Sequence, residues 1–151
     1  AASDVYKRQI HNALPPHAYG GMFANMDIAI APLQMNAFND SKSEIKVAEC
    51  GRYAVPLVAS NVGCYDETLK NWENGFLVPP KASRVVWTKT LARLIKEHSL
   101  RKRMGQNLKK ITDEIFDINK IVHYRLDLYE ECFKALKFDP RDSRDESGSD
   151  S

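Results

Sequence analysis

Apolar residues fall into two kinds of run along this chain, and the switch between them divides it. Between residues 27 and 80 they form short continuous blocks: Asp27-Ile28-Ala29-Ile30-Ala31-Pro32-Leu33, Val55-Pro56-Leu57-Val58-Ala59-Ser60 and Gly75-Phe76-Leu77-Val78-Pro79-Pro80. Each block is closed by proline or by turn residues. Such runs read as short strands buried on both faces, as in a parallel sheet. Beyond residue 83 the apolar residues recur at helical spacing instead. Ser83 is the expected N-cap of a helix over residues 85–98, with Val86, Thr90, Leu91, Leu94 and Ile95 on one side. A second helix, residues 100–116, carries Met104, Leu108, Ile111 and Ile115. A third, residues 119–136, carries Ile121, Leu128 and Phe133.

The segments between the strands supply the crossovers. Ser41-Lys42-Ser43-Glu44 fits a capping box, which predicts a helix over residues 42–53 after a polar loop at residues 34–40. Residues 65–70 read as a short helix, and Glu73-Asn74-Gly75 as a turn. Strand–helix alternation of this kind gives an α/β fold with a parallel sheet, followed by C-terminal helices. Three strands are fewer than a doubly wound domain carries, and no Met opens the chain, so it reads as an incomplete piece. The expected organisation is residues 1–9 (AASDVYKRQ) non-native or disordered and residues 10–100 a Rossmann-like half. Residues 101–137 are helices of the same domain, and residues 138–151 a disordered, Asp/Ser/Arg-rich tail.

Composition changes this picture little. The chain has 151 residues, enough to bury a core, and a net charge of +2, which gives no concentrated basic face for nucleic acid. The three cysteines (Cys50, Cys64, Cys132) are widely spaced and form no C-x-x-C pair, against a disulfide framework or a zinc site and in favour of reduced thiols in a cytoplasmic setting. His11, His17, His98 and His123 have no metal-ligand spacing, so no metal is expected. No apolar run reaches membrane-spanning length.

Candidate chemistry follows from the sheet. Ligands of such folds sit beyond the C-terminal strand ends, here the loops at residues 34–41 and 61–64. On a helix starting near Lys42, Lys42, Lys46 and Glu49 share one face, with Val47, Ala48 and Gly51 opposite. The small face would pack on the sheet, Gly51 permitting close approach. The charged face would then meet a diphosphate with its lysines and a ribose diol with its carboxylate. The plainer alternative is a solvated helix surface with an i,i+3 Lys–Glu pair. Tyr65-Asp66-Glu67 invites a catalytic reading, but the plainer one, acidic residues favoured by the dipole at a helix N-terminus, is preferred. Arg101-Lys102-Arg103 and Lys109-Lys110 fit either the wet face of a helix or a patch for anionic lipid.

Taken in series, Asp27-Ile-Ala-Ile-Ala-Pro-Leu, Phe38-Asn39-x-x-Lys42-Ser43-x-x-Lys46-x-x-Glu49, Pro56-Leu57-Val58-Ala59-Ser60-x-x-Gly63-x-Tyr65 and Asn74-Gly75-Phe76-Leu77-Val78 resemble the GT-B glycosyltransferases. The likeness runs over residues 19–104. It is to the C-terminal, donor-binding domain of the retaining group 1 type, in the bacterial branch reading F-N-x-x-K-S-x-x-K-x-x-E.

The resemblance implies a partial Rossmann-like domain that binds a nucleoside-diphosphate sugar and needs no cofactor. The sugar would pass to an acceptor hydroxyl in cell-surface polysaccharide biosynthesis. The substrate-binding residues it implies are Asn39, Lys42, Ser43, Lys46, Glu49, Gly63 and Tyr65, with Glu49 on the ribose. The family's first glutamate of E-x7-E falls on Ser41, which leaves the contacts of the donor sugar open; Asp40 or Asn39 are the substitutes at hand. The catalytic residue would lie in a missing N-terminal GT-B domain, so the chain alone would be inactive. Its last helix, with Tyr124 and Tyr129, would cross onto that domain and leave an apolar face open to self-association here. Lipid-linked acceptors add peripheral membrane contact as a minor expectation. Two rivals stand beside this reading: a non-catalytic nucleotide-sugar-binding module, favoured by Ser41, and an unrelated flavodoxin-like or receiver-type α/β domain.

Overall fold

The computed structural model describes residues 12–136. The expectations for residues 1–9 and 138–151, and His11, lie outside the described residues. Strands β1 (Ala29–Ala31), β2 (Leu57–Ser60) and β3 (Gly75–Val78) form one parallel sheet in the order β1-β2-β3. The register pairs Ile30 with Val58 and Val58 with Phe76. All of β2 is buried, as a central parallel strand should be. β1 is shorter than the apolar run that contains it, because its pairing stops at Leu57 on one side and Pro32 on the other. Its central residue, Ile30, is exposed at the sheet edge.

Before β1 come α1 (Pro16–Tyr19) and a 3-10 turn (Gly20–Asn25), neither of which the periodicity predicted. After it come α2 (Ala37–Asp40) and α3 (Ile45–Arg52). The capping box does not form. Asn36 caps α2 instead, its Oδ1 accepting from the Asn39 N–H at 2.9 Å. Ser41 thereby becomes the last turn of α2 and donates its hydroxyl to the Ala37 carbonyl. Helix α3 starts only at Ile45, with Glu44 at the cap position making no side-chain cap bond, so Lys42 sits in the loop and not on the helix face.

The core is the cluster of Val58, Val78, Leu94, Leu100 and Met104, with Trp72, Phe76, Val86, Trp87 and Leu91 packed around it. It joins the sheet to α5 (Arg84–Lys96) and α6 (His98–Ile115). Ser83 holds the N-cap position of α5 without a side-chain bond. Ile95 and Ile115, expected inside, are exposed, and Thr112 is buried on α6 in their stead. The close approach at Gly51 is real but has a different partner. A Cβ there would overlap the Thr112 side chain, so Gly51 lets α3 meet α6 and not the sheet. Arg101 donates to the Leu94 and Ile95 carbonyls and pairs with Asp27 at 3.1 Å, and Lys109 pairs with Asp113. These two members of the basic groups are therefore engaged structurally.

The chain divides into two compact units between Glu114 and Ile115, so most of α6 belongs with the sheet. The second unit holds α7 (Ile118–Leu136), an amphipathic helix whose Ile118, Val122, Leu126, Tyr129 and other large apolar side chains are exposed. No described helix is long and apolar enough to cross a membrane.

Candidate functional site

A cavity of about 390 Å3 opens beyond the C-terminal end of β1, walled by Ile30 to Leu33, by Lys42, Ser43, Ile45 and Lys46 at the start of α3, and by Tyr65. Four of the seven residues singled out from sequence thus meet around one space: Lys42, Ser43, Lys46 and Tyr65. Tyr65 opens α4 (Tyr65–Thr68), which places its ring there, buried. Burial pushes its hydroxyl pKa up, and Lys46 partly opposes this. Asp66 and Glu67 occupy the first turn of α4, where the helix dipole favours acids.

The other three residues, Asn39, Gly63 and Glu49, do not line the cavity. Asn39 is buried, and its Nδ2 donates to the Gln34 carbonyl at 2.7 Å, so its side chain braces the loop. Gly63 has φ +67°, and a Cβ there would come within 3.0 Å of the Asn39 carbonyl oxygen. Only glycine combines that backbone with so close an approach. Cys64 adds a second tie, its thiol contacting the Lys42 carbonyl at 3.2 Å. The loops after β1 and β2 are therefore locked together, and Asn39 and Gly63 hold the shape of the cleft. Leu33 N–H donating to Ser60 Oγ at 2.9 Å completes that lock, and Ser60 had no chemical part in the sequence reading.

Glu49 lies one turn along α3 from the cavity wall. Its Oε2 accepts from Lys46 Nζ at 2.7 Å, the i,i+3 pair of the plainer alternative. Lys46 also donates to the Tyr19 hydroxyl at 2.5 Å and lies over the rings of Tyr19 and Phe23. Burial pulls the Lys46 pKa down, but the bonds to Glu49 and Tyr19 and the Glu49 charge outweigh it, and the net shift is upward. The ammonium therefore stays charged throughout the neutral range. Lys42 is freer, its Nζ lying 4.8 Å from the centroid of the exposed Phe38 ring. Of the substitutes for a glutamate at Ser41, Asn39 is committed to Gln34, and Asp40 is exposed. Among the described residues no group of three or more His, Cys, Asp or Glu could hold a metal ion.

The arrangement is a cationic rim at the start of a helix, beyond a parallel strand, over an apolar floor. Free N–H groups at a helix start and two ammonium groups suit a diphosphate, and the apolar walls suit a flat or aliphatic group beside it.

Comparison with known proteins places the chain. Residues 8–111 match the family described as glycosyl transferases group 1. The fold is similar to the C-terminal domain of a glycosyl transferase group 1 family protein from Francisella tularensis, with TM-score 0.60, 22% identity, and coverage of 72% of this chain and 53% of that one. It is also similar to sucrose-phosphate synthase from Thermosynechococcus elongatus, with TM-score 0.67 and 21% identity, over 79% of this chain and 29% of that one. HepE of Anabaena, solved with UDP-glucose, matches with TM-score 0.50 and 19% identity, over 70% of this chain and 29% of that one. The chain thus spans about half of the Francisella domain and under a third of the other two proteins. Comparison with curated proteins gives no match.

Proposed function

Because the chain belongs to the group 1 glycosyl transferase family, we propose that it is the donor-binding part of a sugar-nucleotide-dependent glycosyltransferase. A flavodoxin-like or receiver-type domain of unrelated descent is set aside by the same match. The observation that carries the proposal is the convergence of Lys42, Ser43, Lys46 and Tyr65 on one cavity beyond β1. The reaction is transfer of a glycosyl group from a nucleoside-diphosphate sugar to an acceptor hydroxyl, with retention and no obligatory metal or other cofactor.

The part played by this chain is electrostatic. As the glycosidic bond breaks, negative charge grows on the leaving diphosphate, and Lys42, Lys46 and the N–H groups opening α3 stabilise it. These groups are fixed beforehand by the locked loops, so little reorganisation is needed. Glu49, with Oε1 left to accept from a diol, orients the ribose. The acceptor and the polar group nearest the reacting carbon belong to an N-terminal domain, so this chain alone transfers no sugar. Cytoplasmic location, a product among cell-surface polysaccharides and peripheral contact with anionic lipid complete the reading; co-sedimentation with vesicles that ignores lipid charge would remove the last.

Ser41 supports a second reading, a nucleotide-sugar-binding module without catalysis. It occupies the position of the family's first glutamate, and its hydroxyl is spent on the Ala37 carbonyl.

A thermal-shift titration with UDP, GDP, dTDP and ADP tests the proposal. A ligand that binds only the folded chain raises its melting temperature with concentration. One diphosphate is expected to do so, and less in Lys42→Ala and Glu49→Ala. A well-folded chain that responds to none of the four contradicts the donor reading.

A further inference from the structure

Lys46 is the one charged residue that lines both the cavity beyond β1 and the groove along the β1 edge, and three aromatic rings lie around it. Tyr19 meets Phe23 edge-on at 5.7 Å, and Phe23 stacks on Tyr53 at 6.2 Å. Tyr53 is the C-terminal cap of α3. The segment before β1 is thus clamped to both ends of the helix face that carries Lys46 and Glu49. Held this way, the Tyr19 hydroxyl accepts from the same Lys46 ammonium that donates to the Glu49 carboxylate.

We infer that Tyr19 is a positioning residue: by accepting a hydrogen bond from Lys46 Nζ it holds the ammonium between Glu49 and the diphosphate cavity. An ammonium has three N–H donors. Two are engaged by Tyr19 and Glu49, leaving one for a ligand oxygen. Glu49 likewise spends only Oε2. A lysine side chain is otherwise a flexible four-carbon stem, and losing one anchor would let the charge swing along the helix. The Cys50 thiol and the Tyr65 hydroxyl are the other titratable groups that feel this ammonium. The inference rests on reading the cavity as a diphosphate site.

Tyr19→Phe keeps the ring packing and removes only the acceptor, so it tests position and not fold. Two measurements on the 151-residue chain separate the possibilities. The first follows the Lys46 13Cε signal with pH. Its midpoint should fall in Tyr19→Phe, because one bond that favours the charged form is gone. The second is a double-mutant cycle on the binding of UDP, GDP, dTDP and ADP, each against its nucleoside. Tyr19→Phe should weaken the diphosphate about tenfold, leave the nucleoside unchanged, and add nothing in a Lys46→Ala background. A wild-type chain that binds none of the four diphosphates sinks the donor reading. A Lys46 midpoint unmoved by Tyr19→Phe sinks the positioning role, as does a cycle in which the two substitutions simply add.

Discussion

The two sides of α3 contrast in chemistry and in what each can lose. The inner side presents Val47, Cys50 and Gly51, all buried, with Gly51 against α6. The outer side presents Lys46 and Glu49, partly open to solvent and tied to Tyr19. The inner side continues the apolar packing that unites the sheet with α5 and α6, and the outer side borders the cleft. Stability and recognition are therefore carried by opposite faces of one eight-residue helix. Substitutions should separate the two cleanly.

The largest effect is expected in the core. Leu94 and Met104 are 0% exposed, and truncating either to Ala should cost about 2–5 kcal/mol, read by denaturant unfolding. Diphosphate affinity of the folded fraction should not change. A loss below 1 kcal/mol would mean that the core is not where the stability lies.

Cys50 should dominate the alkaline limb. Burial, with the Glu49 charge adding and Lys46 opposing, raises its thiol pKa from 9.0 to about 12. The folded state then keeps a proton that the unfolded state releases. Stability is complete below pH 9 and falls toward 12, by about 1.4 kcal/mol per pH unit at most. Cys50→Ala should flatten that slope. Cys132, which is exposed, should react with a thiol reagent at neutral pH while Cys50 stays inert. Equal rates for the two would contradict the burial of α3's inner side.

Gly63→Ala should cost about 1–2 kcal/mol and also weaken ligand binding, because the residue locks two cleft loops together. An effect on stability alone would place the lock outside the site.

The smallest effect on stability belongs to the outer side. The Lys46–Glu49 pair is partly exposed, so Glu49→Ala should change stability by no more than about 1 kcal/mol, while diphosphate affinity falls. Should stability fall as in the core variants, the two faces are not separable.

The strands and the three long helices were legible because buried apolar blocks and 3.6-residue spacing are local signals. The Rossmann-like class followed from their alternation. The start of α3 was misread because two candidate caps, Asn36 and Ser41, compete five positions apart. Asn36 captures the Asn39 N–H first, and Ser41 is then used up by α2. Ala54 and Trp72 adopt φ +55° and +63° without the glycine that such turns favour. Trp72 is held there by its contacts with Phe76 and Arg93, which no neighbouring residue announces.

Within the site, the motif residues at 42, 43, 46 and 65 line one cavity. The braces Asn39 and Gly63 and the hydroxyl of Ser60 act through backbone geometry, which residue type alone does not reveal. Tyr19 was invisible for a plainer reason: it lies 27 residues before its partner, and no periodicity spans that distance.

The most direct measurement of the central claim is a 1H–15N correlation spectrum of the chain titrated with a nucleoside diphosphate. The account expects shifts confined to the amides of Lys42 to Glu49 and of Gly63 to Tyr65, with Leu94 and Met104 silent. Shifts centred elsewhere, or none up to millimolar ligand, would contradict it.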